Sequence, residues 1–362
     1  MTKSVLFTSL FAIATITLKA QDAPKYSNEF LQIGVGARAL GMGAAQSATV
    51  NDVTAGYWNP AGLVNIKSDL QFSLMHSEYF AGIAKYDYGA VAAPIDSMRT
   101  VGFSAIRFAV DDIINSLELI DKNGQIDYDR LKTFSTADYG FIFSYASRTK
   151  ITGLNYGANF KIVHRKVGSF AKAWGFGLDA GLQYQKDKWR LGAMARDITS
   201  TFNAWSYTLT DEEAETLIQT GNELPENGLE ITLPRLVLGV GYKASFKKIS
   251  VTPALDLDVT FDGKRNVLIK SNPVSIDPHF GVEVGYNNFI FLRGGIQNIQ
   301  TVLDVNNKES KTAQPNFGIG VKLGNFSIDY ALTNIGGSDN VLYSNIFSLK
   351  LAINKQKRNS SS

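Results

Sequence analysis

Three histidines, a glycine-spaced run near the amino terminus and a set of charges inside alternating segments are the residues whose types could do chemistry. The run Gly36-Ala37-Arg38-Ala39-Leu40-Gly41-Met42-Gly43 has the look of a phosphate-cradling loop. The Lys-Ser/Thr pair that would contact phosphate and magnesium does not follow it, which removes nucleotide binding. His76, His164 and His279 are isolated from one another. With no His-x-x-x-His pair and no cysteine to complete a thiolate site, they read as ordinary strand histidines rather than metal ligands. There is no Gly-x-Ser-x-Gly elbow and no nominated Ser-His-acid set, so the chain reads as a non-enzyme with no cofactor.

What remains are charges on the polar side of alternating segments: Lys161, Asp179, Asp256, Asp258, Glu283, Arg293, Asp329 and Lys350. In Trp174 to Tyr184 the even positions are Trp, Phe, Leu, Ala, Leu and Tyr, while the odd ones are Gly, Gly, Asp, Gly and Gln. Leu154 to Ile162, Phe280 to Tyr286, Phe326 to Thr333 and Phe347 to Ile353 repeat the pattern. Period-two alternation in segments of about ten residues is the signature of a transmembrane barrel, apolar side to lipid and polar side to lumen. About fourteen such segments are expected. They fall near 70–78, 84–94, 99–109, 137–148, 152–166, 174–186, 188–197, 234–246, 248–261, 276–286, 288–298, 313–323, 325–334 and 344–353. Short connections at 95–98, 150–151, 187, 247, 287 and 324 alternate with longer ones at 110–136, 198–233, 262–275, 299–312 and 335–343. That rhythm suits periplasmic turns opposite extracellular loops. A soluble sandwich or propeller has no reason to keep its long loops at one end. Within 198–233, Asp211-Glu212-Glu213-Ala214-Glu215 reads as a solvated helical turn, since it lacks the spaced Asx-Gly pattern of a calcium loop.

Composition fits. The chain has 36 Lys+Arg, 33 Asp+Glu and no cysteine in 362 residues. Residues 1–20 read as a secretory signal, with Lys3 ahead of the apolar run Val5 to Leu18 and Ala20 at the cleavage point. Losing it takes away Lys3 and Lys19 and leaves a nearly neutral protein without the basic excess of a nucleic-acid binder. Residues 21–66 read as lead-in and plug, 67–353 as barrel and 354–362 as a polar tail. Ala44 to Trp58 could form short helical turns capped by Asn51 or Asp52 and ended by Pro60.

Leu31-Gln32-Ile33-Gly34-Val35-Gly36-Ala37-Arg38-Ala39-Leu40-Gly41-Met42-Gly43, followed by Asn51-Asp52-Val53-Thr54-Ala55-Gly56-Tyr57-Trp58-Asn59-Pro60-Ala61-Gly62-Leu63, resembles the amino-terminal signature of the PorV/PorQ family. These are outer-membrane barrels related to the FadL fatty-acid transporters and associated with type IX protein secretion. The resemblance implies an all-β, FadL-like barrel of about fourteen strands. It would carry an amino-terminal hatch marked by Gly34, Gly36, Arg38, Gly41, Gly43, Trp58, Asn59, Pro60 and Gly62. It also implies outer-membrane lipid as surroundings and type IX components or secreted cargo as partners. The loops 110–136 and 198–233 carry no motif that matches a cargo-binding surface residue by residue. The chain ends in a polar tail where many barrels end on an aromatic, and Phe347 stands further in. A FadL-like channel for long-chain fatty acids or other hydrophobic small molecules is the alternative, and a purely structural barrel the third reading.

Overall fold

The computed structural model describes residues 27–80, 82–117, 119, 125–303, 308–333 and 343–354. The expected signal, the tail from 355 on and residues 335–342 of the last expected loop lie outside them. In chain order the strands are β1 (Leu70–Tyr79), β2 (Ala84–Pro94), β3 (Arg99–Asn115), β4 (Lys132–Arg148), β5 (Leu154–Val167) and β6 (Ala171–Lys186). Next come β7 (Trp189–Arg196), β8 (Phe202–Tyr207), β9 (Gly228–Ile231), β10 (Arg235–Tyr242), β11 (Ala244–Phe246) and β12 (Ile249–Thr260). The last five are β13 (Ser275–Tyr286), β14 (Ile290–Leu303), β15 (Glu309–Leu323), β16 (Phe326–Thr333) and β17 (Ser344–Ile353). Every pairing is antiparallel, and β1 pairs with both β2 and β17, which closes the sheet. Strands β8, β9 and β11 extend the staves of β7 and β10, so the 17 strands make a closed barrel of 14 staves.

The alternation read from the sequence is the alternation of burial. Along β6 every second residue is buried from Ala171 to Gln183. On the outer face Phe103, Phe143, Phe160, Phe176 and Phe202 form a continuous row across β3, β4, β5, β6 and β8, with successive ring centroids 5.0, 6.4, 6.1 and 5.9 Å apart. Such cross-strand aromatic pairs stabilise a sheet and give it a lipid-compatible surface. No helix among the described residues is long and apolar enough to cross a membrane.

Inside the barrel the chain from Ser27 to Ile66 is almost entirely buried. It holds two short helices, α1 (Ala37–Gly41) and α2 (Ala55–Trp58), and a 3-10 turn, Pro60–Asn65. Expectation and structure differ at Pro60, which begins that 3-10 turn instead of ending a run. A proline lacks only an N–H that the first turn leaves unpaired anyway. That turn is capped by Asn59, whose side chain accepts from Ala61 N–H; in the expected helical region the cap position of α2 is Thr54, and Asp52 accepts from the Thr54 N–H and hydroxyl.

The wall makes room for this segment with glycines on its inner face. Gly157 faces Gly181 across β5 and β6, Gly192 faces Gly239 across β7 and β10, and Gly281 faces Gly295 across β13 and β14. A Cβ on Gly157 would stand 2.6 Å from Ala61 N, and one on Gly295 would collide with the backbone of Met42 and Gly43.

The loop expectations need two corrections. Strands β3, β4, β14 and β15 run well into 110–136 and 299–312, and two connections at the long-loop end, 80–83 and 168–170, are short hairpins. The insert 198–233 is not one loop either. It contains β8, β9 and the helix α3 (Asp211–Gln219), started by a capping box in which Thr210 and Glu213 exchange hydrogen bonds. The wall breaks before β8, where residues 196–201 stand opposite only Gly177, Leu178 and Asp179 of β6.

Neighbouring glycines provide a test of the plug seat. Gly295→Val should destabilise the folded barrel by roughly 2 kcal/mol, the usual cost of overpacking. Gly294→Val, on the outer face with nothing within 4 Å of a new Cβ, should leave it unchanged. Heat-modified electrophoretic mobility of the two variants checks this.

Candidate functional site

The plug has little regular structure of its own, so its backbone groups are met by side chains of the wall. Asp256 accepts from the N–H groups of Gln46 and Ser47 at 2.9 and 2.8 Å. Asn159 donates to Gly56 O, Arg196 to Tyr57 O and Arg148 to Val64 O. Gln183 donates to the carbonyls of Ser47 and Val50. The Arg196 guanidinium also lies 4.7 Å from the centroid of the Tyr57 ring.

The signature residues of the plug sit in this interface or pack the plug against itself. Gly36 starts α1 at φ 85°, and its N–H meets the Met75 sulfur. Ala37 N–H bonds Ser348, so the first two donors of the glycine-spaced run go to the barrel and the later ones to its own carbonyls. Gly34 packs beneath Leu40 and Trp58, whose indole N–H donates to Val35 O. Gly41 rests on Gly318, and Gly43, at φ 60°, rests on Ile296. The Asn59 amide donates to Ser47 O and to Leu182 O of β6, Pro60 sits over Gly157, and Gly62 lies against Val50 O.

Most of the charges expected in the lumen come together as pairs. Arg38 of the plug meets Glu283 at 2.9 Å, Glu283 meets Arg293 at 2.8 Å, and Arg293 meets Asp329 at 2.7 Å. Lys350 pairs with Asp52 of the plug at 2.5 Å. Lys161 holds Asp179 at 2.7 Å and Asp197 at 2.5 Å, drawing the wall break inward. Asp258 pairs with Arg235, which also donates to Gln32. Asp256 has no cation and serves the plug backbone instead.

Asp197, Arg196 and Arg235 are not singled out by the sequence reading, and Asp52 is read there only as a helix cap. Strand parity marks Arg196 and Arg235 as inward, so a signal existed. Asp52 and Asp197 lie where no period operates. Burial opposes ionisation of Asp52, but the Lys350 ammonium and the Arg38 guanidinium outweigh it and hold its carboxyl below the usual carboxylate range.

The ion pairs occupy only part of the interface. On the inner faces of β1, β2 and β3 none is present among the described residues. Met75, Tyr86, Tyr88 and Ile106 pack there against Phe30, Leu31, Tyr57 and Trp58. Toward the long-loop end Tyr86 continues to Tyr79 and Phe108 in edge-on ring contacts. Two cavities of about 10 Å³ lie between the plug and its surroundings at the long-loop end, each room for about one water. At the short-turn end the plug floors a mouth with two cavities of about 670 and 530 Å³.

The histidines stay apart. His76 bonds Asp87 on the outer face at 2.7 Å, His164 stacks on Trp174 with centroids 4.1 Å apart, and His279 bonds Gly43 O.

Neither a family model nor a curated protein matches the chain. Solved structures do. The CymD monoaromatic hydrocarbon channel aligns with a TM-score of 0.56 at 13% identity, covering 89% of this chain and 98% of its own. The fold is FadL-like. The Ralstonia pickettii toluene transporter TbuX gives 0.53 at 16% identity, over 88% and 98% of the two chains. A Pseudomonas aeruginosa FadL homologue gives 0.51 at 12%, over 87% and 97%. The likeness therefore falls on the FadL side of the expected relationship, and at these identities it is a likeness of fold. Two of these three FadL-like structures are named as a channel or transporter.

The Asp52–Lys350 pair has a pH signature. Because the folded-state value of Asp52 lies below the unfolded one, near 3.9, the pair contributes stability above that pH and loses it as pH falls. Wild-type melting temperature should drop between about pH 5 and pH 3, and Asp52→Asn should flatten that drop while melting lower near neutrality. Thermal scans of both proteins across this range check it.

Proposed function

We propose that this FadL-like barrel lies in the outer membrane, short turns toward the periplasm, and admits hydrophobic small molecules along the aromatic sector between plug and wall. The observation that carries this reading is the division of the interface. The sector lined by Tyr79, Tyr86, Phe108 and Tyr57 holds no ion pair among the described residues, whereas the rest is stitched by charge. An apolar guest that displaces contacts of Tyr79, Tyr86 and Phe108, leaving Tyr57 on Arg196, strands no buried charge, which elsewhere would cost several kcal/mol. The names of the FadL-like hydrocarbon channel and toluene transporter point to the same ligand class.

Uptake of labelled toluene and of a labelled long-chain fatty acid by cells producing the protein should exceed that of cells with empty vector. Filling the sector with Phe108→Trp should reduce it several-fold. Uptake equal to the vector control for both probes would sink the proposal.

A second reading has an observation of its own. The Gly-Ala-Arg-Ala, Gly-Met-Gly and Asn-Pro-Ala-Gly elements fasten the plug through Arg38, Gly41, Gly43 and Asn59. A plug held so closely also suits a PorV/PorQ-type barrel that works by protein contacts in type IX secretion and conducts nothing. On that reading the native protein should co-purify with type IX components or secreted cargo. Normal secretion in a deletion strain, with clean isolation of the protein, counts against it.

A further inference from the structure

The mouth at the short-turn end has a charge arrangement that neither reading uses. Its floor is electrically closed: Arg38, Glu283, Arg293 and Asp329 form one alternating chain, and Lys350 and Asp52 pair beside it. The walls of the two cavities above that floor carry Lys67, Arg148, Arg190, Lys243 and Lys322 and no carboxylate beyond the paired ones. Arg148 donates to a backbone carbonyl and Arg190 to backbone carbonyls and the Gln185 amide oxygen, neither to a carboxylate, and Lys67, Lys243 and Lys322 are exposed without an ion pair among the described residues. Five cations thus converge on a concave space whose own acids are already spent. Low-dielectric walls of one sign focus the field into such a cleft and raise the local concentration of opposite charge. In a chain whose Lys+Arg exceed its Asp+Glu by only three overall, this is a local concentration of positive charge.

We propose that this funnel is a docking site for an acidic polypeptide segment in extended form. The spread of the cations selects the occupant. They come from the lead into β1, the end of β4, the start of β7, the end of β10 and the end of β15, so they ring the mouth. With staves about 4.8 Å apart, the circumference of 14 staves exceeds about 65 Å. A single phosphate reaches the pair on neighbouring β7 and β10 at most. An extended chain with acids at alternate positions places a carboxylate every ~7 Å along one side and engages several. Lipid headgroups meet different lysines, those on the tips and outer rim of the turns, such as Lys150, Lys188 and Lys247, which line neither cavity. The proposal holds whether or not the aromatic sector passes a hydrocarbon.

The probe is a fluorescent oligo-glutamate peptide titrated with the full-length mature protein in a neutral detergent, read by polarisation at low and high salt. The expected result is saturable binding that weakens as salt rises. The triple substitution Lys67→Gln, Lys243→Gln and Lys322→Gln should weaken it by about tenfold. Lys150→Gln, Lys188→Gln and Lys247→Gln together should leave it unchanged. All six positions are exposed, and the heat-modified mobility of each variant confirms that the barrel is folded. No binding by the wild-type protein at low salt overturns the proposal, as does equal weakening in the two triple variants. Displacement of the peptide by phosphatidylglycerol vesicles as readily as by unlabelled peptide overturns it in favour of a lipid surface. Displacement by inorganic phosphate at matched ionic strength overturns it in favour of a small-anion site.

Discussion

Forty residues of mostly irregular chain are enclosed in this barrel, and every backbone N–H and C=O they carry must find a partner there. A buried amide left unpaired costs about 1–3 kcal/mol, so a plug without ladders of its own is stable only if the wall supplies donors and acceptors. That requirement explains residues that otherwise look like scattered polarity in strands. Asp256, Asn159, Gln183, Arg148 and Arg196 each reach a main-chain atom of the plug. It also explains the inner glycines, because main chain can meet main chain only where no Cβ intervenes. The wall is therefore specialised on its inner face, stave by stave, for this one segment.

The same requirement divides the interface in two. Where the wall is β1 to β3, the plug turns aromatic and aliphatic side chains outward and contact is mainly by packing, with only neutral hydrogen bonds from Gly36 and Val53 N–H to Met75 and Gln71. Where the wall is β5 to β17, it turns backbone and charge outward, and contact is directional. Packing contacts give way a fraction of a kcal/mol at a time. A buried ion pair gives way all at once and leaves a charge behind. A barrel that had to let apolar molecules past its plug would keep the directional contacts on one side. One that only had to stay shut has no need of the asymmetry.

Much of the wall was legible because a membrane-type barrel imposes a strict period of two. The expected segments coincide with the staves to within a few residues except at β3, β4, β14 and β15, where register shifts at 110–113 and 297–300 break the period of two. Parity also places Lys161, Asp179, Asp256, Glu283, Arg293 and Asp329 on the inner face. It does not tell which charge meets which, since partners lie on different staves or on the plug. The plug resisted reading beyond its motifs, because its positions answer to the wall and follow no period. Asp52 is the clearest case, a residue that reads as a helix cap until Lys350, nearly three hundred positions away, is placed beside it. The break at Asp197 was hidden for a related reason, since the carboxylate in it meets Lys161 on a different stave.

The fastenings of the plug are also unequal in what their loss would leave behind. If Arg38 withdrew, Glu283 would keep Arg293, and the chain through Asp329 would stay paired. If Gln46 and Ser47 withdrew, Asp256 would lose both of its N–H donors while still inside the barrel. If Asp52 withdrew, Lys350 would lose its only ion-pair partner among the described residues. A stranded buried charge costs several kcal/mol, whereas giving up one member of a shared pair costs a fraction of that. The ion pair of residues 27–44 is therefore one that can be given up without stranding a charge, whereas the charged contacts of residues 46–65 cannot. The exchangeable part carries Leu31, Val35 and Leu40 of the packed sector. The fixed part floors the basic mouth together with Arg38, so a displacement near the aromatic wall that leaves Arg38 in place keeps the short-turn end of the barrel closed.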